Sequence, residues 1–259
     1  MSDSFATQVW LCLSALAAGA INSIAGGGTL LTFPALTAVV SYEVANATST
    51  VALVPGSVAA AWGYRREFAD LRRWALLLAG PSFVGGAVGT LLVIWFPDAF
   101  KVLVPWLILV AALLFLLQPT LARFTRGGKP HGEPSARART AIVAFQFLVA
   151  VYGGYFGAGI GILMISSLSL MGTGDIHQMN ALKTLLAACI NGVSVVVWVL
   201  NDKVNWDYVP VMAGAAIVGG YLGARVARRM PKNLVRWIVI GIGFTLAAYY
   251  FYKQLATAG

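Results

Sequence analysis

WALLLAGPSFVGGAVGTLLVIWF, residues 74–96, carries no charged side chain over its whole length. As a helix it would extend about 35 Å, enough to cross a hydrocarbon layer of roughly 30 Å. Comparable apolar blocks stand at 44–63, 102–118, 178–200, 208–226 and 236–253. The whole chain has 259 residues, 59% hydrophobic and 10% charged, with mean hydropathy +0.80. Soluble domains carry about a quarter charged residues, so a water-soluble fold could not clothe its surface with this composition. The class that follows is an all-α polytopic membrane protein. Asp3 is the only charge before Glu43. A basic signal region is therefore missing, and the N-terminus reads as part of the mature fold. Cys12 and Cys189 lie inside apolar blocks without metal-ligand spacing and read as packing residues.

The same stretch carries a duplication. Ala79-Gly80, Val84-Gly85-Gly86 and Gly89 recur 134 residues later as Ala213-Gly214, Val218-Gly219-Gly220 and Gly223. That shift also carries Asn46-Ala47 and Thr50 onto Asn180-Ala181 and Thr184. With one residue of slippage Gly26-Gly27-Gly28 falls on Gly159-Ile160-Gly161, and Gly56 and Trp62 pair with Gly192 and Trp198. Matches in order at one offset mark an internal repeat. The domains expected are a membrane repeat over 1–120, a polar linker over 121–139 and a second membrane repeat over 140–259. In each, a first apolar block (6–25, 141–157) runs into a glycine cluster. A block too short to span follows (29–40, 162–171), and then three full-length blocks.

Basic residues near membrane ends favour the cytoplasmic side. If the first two blocks of each half form a hairpin returning to its starting side, the loops 65–73, 119–140 and 225–236 share one face. Fourteen of the eighteen basic residues then face the cytoplasm, against Lys101, Lys203 and Lys253 outside and Lys183 within a helix. Eight plain spans would leave the cluster 225–236 on the wrong face. The hairpin arrangement makes the halves inverted repeats, as in many secondary transporters, with both termini extracytoplasmic. It also accounts for the net charge of +9 by anchoring at an anionic leaflet, not by nucleic-acid binding.

Polar residues inside the apolar blocks are few and clustered. Asn22, Ser23, Gly26, Gly27, Gly28 and Thr29 form the first cluster; Tyr155, Gly157, Gly159 and Gly161 form its counterpart. Three successive glycines interrupt a helix, and broken backbone at membrane depth is tolerated only against protein or a water-filled cavity. A helix starting near Thr29 would point N–H groups and its positive dipole end at an anion. The bland reading is close helix packing. It is preferred for the glycines at 80–89 and 214–223, whereas the two clusters beside short blocks read as a substrate site. Asn46, Ser49, Asn180, Lys183, Thr184 and Asn191 complete the candidate set. Lys183 either neutralises a bound anion, carries a proton, or snorkels to an interface. Asp175 reads as a helix-start acid and His177 as a solvated loop residue. The acids all fall in or beside loops. No cofactor, metal cluster or catalytic set is expected, nor is enzymatic activity.

At these residues the chain resembles the TauE/SafE family of sulfite exporter-like permeases. The resemblance is carried by Ala18 to Leu31 with Pro34-Ala35-Leu36, by Ala45-Asn46-Ala47-Thr48-Ser49-Thr50 to Pro55-Gly56, and by Trp62 to Arg66. In the second half it is carried by Gly153 to Gly161, Asn180-Ala181-Leu182-Lys183-Thr184 and Asn191. It implies a bacterial inner-membrane permease of two homologous halves handling anions such as sulfite, sulfoacetate or other organosulfonates. Thr29 stands where a fourth glycine is common. The function expected is a secondary transporter of a small anion, with protons as candidate coupling ions and the bilayer as surroundings. An anion channel and a non-transporting scaffold are the alternatives.

Overall fold

The structure, a computed structural model, describes residues 2–24, 27–63, 68–126, 135–168, 176–227 and 232–258. Ten helices make up the described chain: α1 (Ser2–Ile24), α2 (Thr29–Leu36), α3 (Tyr42–Gly63), α4 (Phe68–Trp95), α5 (Pro97–Arg126), α6 (Ala136–Tyr155), α7 (Ile160–Leu168), α8 (Ile176–Leu200), α9 (Val209–Ala227) and α10 (Lys232–Ala258). Among the described residues, α1, α4, α5, α6, α8 and α10 are long and apolar enough to cross a membrane. The all-α polytopic class is what the apolar blocks predict. Helix α5 runs through Pro119 to Arg126 and α6 begins at Ala136, so both ends of the expected linker 121–139 are helical. A helical proline gives up one i−4 hydrogen bond, which the rest of a 30-residue helix absorbs.

The packing has a pattern. Helix α1 lies along α9 and α4 along α6; α4 also meets α8 while α3 meets α9; α3 packs on α8 and α5 on α10. Exchanging the first five helices for the last five reproduces this set of contacts. Glycines make the closest crossings. A Cβ on Gly89 would fall on the Val151 carbonyl oxygen of α6, and one on Gly154 on the Gly86 carbonyl of α4. On the other side a Cβ on Gly219 would meet the Leu16 carbonyl. Close packing is thus the role of Gly85, Gly86, Gly89 and Gly219, as the sequence suggests. Gly80 and Gly214 face open space.

Thr90 closes the α4–α6–α8 junction. Its buried hydroxyl lies 2.8 Å from Ser194 Oγ, 2.9 Å from the Gly86 carbonyl and 3.2 Å from the Gly154 carbonyl. Thr90→Val keeps the shape and removes the donor, and we expect it to destabilise the protein by about 1–3 kcal/mol, read as a lower Tm in detergent.

These contacts also give direction. Gln146 donates to Ser82, Gly85 abuts Phe147 and Ala150, and Gly89 abuts Val151. The residue numbers climb together, so α4 and α6 run parallel. Gly86 against Ile190 and Thr90 against Ser194 make α8 parallel to α4 as well. Helices α6 and α8 therefore point the same way, and the chain between them, including the short α7, returns to its starting level.

Candidate functional site

Each short helix follows a break built on glycine. Gly27, Gly157 and Gly159 have φ of +98°, +82° and +79°. L side chains adopt such angles only at a cost of about 1–2 kcal/mol. Gly27 is also sterically locked, because a Cβ there would stand 2.6 Å from Phe115 Cζ of α5. A Cβ on Gly159 would stand 3.4 Å from Leu114 Cδ1 and 3.8 Å from Ala111 Cα of the same helix. Both breaks thus rest on one turn of α5. Helix α2 starts at Thr29 and α7 at Ile160, so Gly159, not Gly161, occupies the place of Gly28 before the helix.

The first turns are less bare than the sequence suggests. Leu30 and Leu31 donate to the Gly27 and Gly28 carbonyls, and Ile162 donates to Gly159. Tight turns after the glycines consume these N–H groups, which leaves less of the helix start for an anion than four free donors.

Helix α3 reaches both breaks. Asn46, 1% exposed, donates from Nδ2 to the Tyr155 carbonyl at 3.0 Å, capping the end of α6. Its Oδ1 has no hydrogen-bond partner among the described residues. Ser49, one turn on, shares a hydrogen bond with Thr32 of α2. Thr50 donates to the Asn46 carbonyl at 2.8 Å, and Thr184 donates to the Asn180 carbonyl at 2.7 Å. The two halves thus repeat the same local bond.

Lys183 lies along the first turn of α7, where a Cβ on Gly161 would come 3.3 Å from its Cδ. Glycine there makes room for the lysine stem. The ammonium donates to Asn180 Oδ1 at 3.2 Å, and among the described residues no carboxylate pairs with it. An unpaired cation within an apolar helix is costly and by default functional.

The structure brings Asn46 to Tyr155, Ser49 to α2, and Lys183 to Asn180 and Gly161. Asn22 in the last turn of α1 and Thr29 at the start of α2 are half-buried beside the first break. Asn191 lies on α8, about 12 Å beyond Lys183 along the axis. Gly26, Asp175 and the side chains of Ser23 and His177 lie outside the described residues. Thr32 and the α5 turn around Leu114 and Phe115 were missed. Thr32 is a lone polar residue in a short apolar block, a signal that was there to read; Phe115 looks like any lipid-facing residue. No group of three or more His, Cys, Asp or Glu is placed to hold a metal among the described residues.

Around the second break an aromatic cluster fills the space. The buried Phe33 of α2 meets Tyr42, Phe100 and Phe156 edge to face, and Phe100 meets Tyr155. The aromatic rings pack one flank of the break, while Asn46 of α3 and Lys183 of α8 bring polar groups to it.

A many-helix bundle with six candidate spans among the described residues, two glycine-broken elements and a half-buried lysine without a carboxylate partner among them is a multi-pass membrane protein with the makings of a transporter. Over residues 11–250 the chain matches the family described as Sulfite exporter TauE/SafE, and it belongs to that family. It is similar to a "Probable membrane transporter protein YfcA" of Escherichia coli (strain K12), with 31% identity over 93% of this chain and 88% of the relative. A "Probable membrane transporter protein" of Haemophilus influenzae is 30% identical over 90% of each chain. The "Probable membrane transporter protein YunE" of Bacillus subtilis (strain 168) is 25% identical over 92% and 96%.

Proposed function

We propose that the protein is a secondary transporter of a small anion, sulfite or an organosulfonate or similar organic acid. It works by alternating access around the two glycine-broken helices. The observation that carries this reading is Lys183, whose charge has no carboxylate partner among the described residues and lies against the first turn of α7. A bound anion compensates that charge. Asn180, Thr184 and the first-turn backbone of α7 line the same place; Asn46 reaches the same break through the Tyr155 carbonyl, and Ser49 reaches α2 beyond the first break. The family description supports sulfur oxyanions as the class to test first.

The arrangement in the membrane belongs to the same proposal. The halves 1–120 and 140–259 are inverted repeats, in keeping with the exchange symmetry of the helix contacts and with α6 and α8 running parallel. The basic loops 65–73, 119–140 and 225–236 face the cytoplasm of a bacterial inner membrane, and the termini face away. A cysteine at Lys203 should react with an impermeant reagent on intact cells and one at Arg72 should not; the reverse result removes this orientation.

Uptake of labelled sulfite, sulfoacetate and 2-aminoethanesulfonate into proteoliposomes, with and without a pH gradient, tests the transport reading. Saturable flux of one of them is expected, and acceleration by the gradient assigns protons as the coupling ion. Flux that fails to saturate makes the protein a channel. No flux of any anion in folded protein removes the transport reading.

A further inference from the structure

The two halves place an asparagine at equivalent positions, yet only one of its side-chain oxygens is satisfied. Asn180 Oδ1 accepts from the ammonium of Lys183, three residues on, at 3.2 Å. The residue three beyond Asn46 is Ser49, and its hydroxyl is engaged with Thr32. Asn46 Oδ1 is thus left buried without a partner among the described residues, while Nδ2 of the same amide is held by the Tyr155 carbonyl. That bond fixes the amide's orientation, so the oxygen cannot exchange places with the nitrogen. A buried acceptor left unmade costs about 1–3 kcal/mol. The Thr50 and Thr184 back-bonds to the two asparagine carbonyls repeat in both halves. What differs is the ammonium: one half carries it on its own chain and the other lacks it.

We propose that Asn46 Oδ1 is the contact point for a small monovalent cation supplied from outside the chain, occupying the place that the Lys183 ammonium holds in the other half. Asn46 also caps the end of α6, where peptide carbonyls present the negative end of the helix dipole. The cation comes either as a free ion such as Na+ or as the ammonium of a zwitterionic substrate whose anionic end faces Lys183. Its place in a transport cycle rests on the function proposed above; binding itself is measurable without transport. The bond from Asn46 to Tyr155 ties this oxygen to the α6 break, so displacement of the break around Gly157 and Gly159 admits the ion.

The test uses the purified full chain. With NaCl or methylammonium chloride at tenfold the Kd, Tm should rise by about 3–6 °C over the same concentration of N-methyl-D-glucamine chloride. Ser49→Lys supplies an ammonium in cis and should abolish the shift. Should that variant fail to fold, Asn46→Ala should abolish it too. A wild-type protein that does not distinguish the cations, or a shift surviving either substitution, overturns the proposal. In proteoliposomes, ethanesulfonate flux that requires Na+ identifies a free ion. Sodium-independent flux of 2-aminoethanesulfonate, tenfold or more above ethanesulfonate, identifies the substrate's own ammonium. A cation shift that responds to the substitutions in protein moving no sulfonate keeps the cation site and removes the anion reading instead. Equal flux of both sulfonates with Na+ replaced removes the cation's part in transport and with it this proposal.

Discussion

Lys183→Met should abolish anion flux, by at least about 100-fold, in protein that still folds. The size follows from the electrostatics. In an apolar, partly desolvated setting a charge–charge contact near 4 Å is worth about 4 kcal/mol even at an effective dielectric of 20, and 1.4 kcal/mol corresponds to a factor of ten in binding. The methionine keeps the stem that packs on Gly161 and removes the ammonium that donates to Asn180. Structure should survive, because relieving a membrane helix of an unpaired charge does not penalise folding. Lys183→Arg retains charge but is bulkier than the space beside Gly161 allows, so it should show reduced rather than abolished flux. Saturable uptake into proteoliposomes at matched protein content checks the series. Wild-type rates in the methionine variant would mean that the lysine only snorkels to an interface and that the anion is bound elsewhere.

Gly89→Ala should abolish accumulation of folded protein, whereas Gly80→Ala should be silent. Both are alanine substitutions in α4, nine residues apart. At Gly89 the new methyl falls on the Val151 carbonyl and 2.7 Å from the Tyr155 nitrogen, all backbone of α6. At Gly80 it meets nothing within 4 Å. Overpacking a core costs about 1–3 kcal/mol where side chains yield, and here the obstacle is backbone. The helices would have to separate along a crossing that also holds Thr90 and the α8 contact. Gly219→Ala should behave like Gly89, since it meets the Leu16 carbonyl in the α1–α9 crossing. Fluorescence-detected size-exclusion profiles of the three variants check this, and a monodisperse Gly89→Ala peak at wild-type yield would show that the crossing can open without loss.

Much of this was legible because membrane helices are written in composition. Apolar runs long enough to span place α4, α8 and α10 and the middle of α5, and glycine clusters followed by short apolar blocks place α2 and α7. The 134-residue offset led to Asn46 and Asn180 as a pair before any contact was known, and their shared back-bonds agree with it. Helix α5 continues past the apolar block 102–118 to Arg126, because a helix anchored along α10 tolerates the hydrogen bond that Pro119 gives up. The free N–H groups expected at the broken helices were partly wrong. Glycine permits the tight turns that satisfy them, and turn geometry is set by dihedrals that composition does not encode.

The sequence by itself determined the all-α membrane class, the positions of the breaks and the presence of Lys183 well inside an apolar block, because these depend on local apolarity and residue type. Tertiary structure alone decided which glycines are contacts and which merely line a helix. It alone set both breaks on one turn of α5 and paired Asn46 with a carbonyl 109 residues away. The reason is physical: partner choice depends on how helices far apart in the chain cross, and identical Gly side chains give no local sign of what backbone will lie against them.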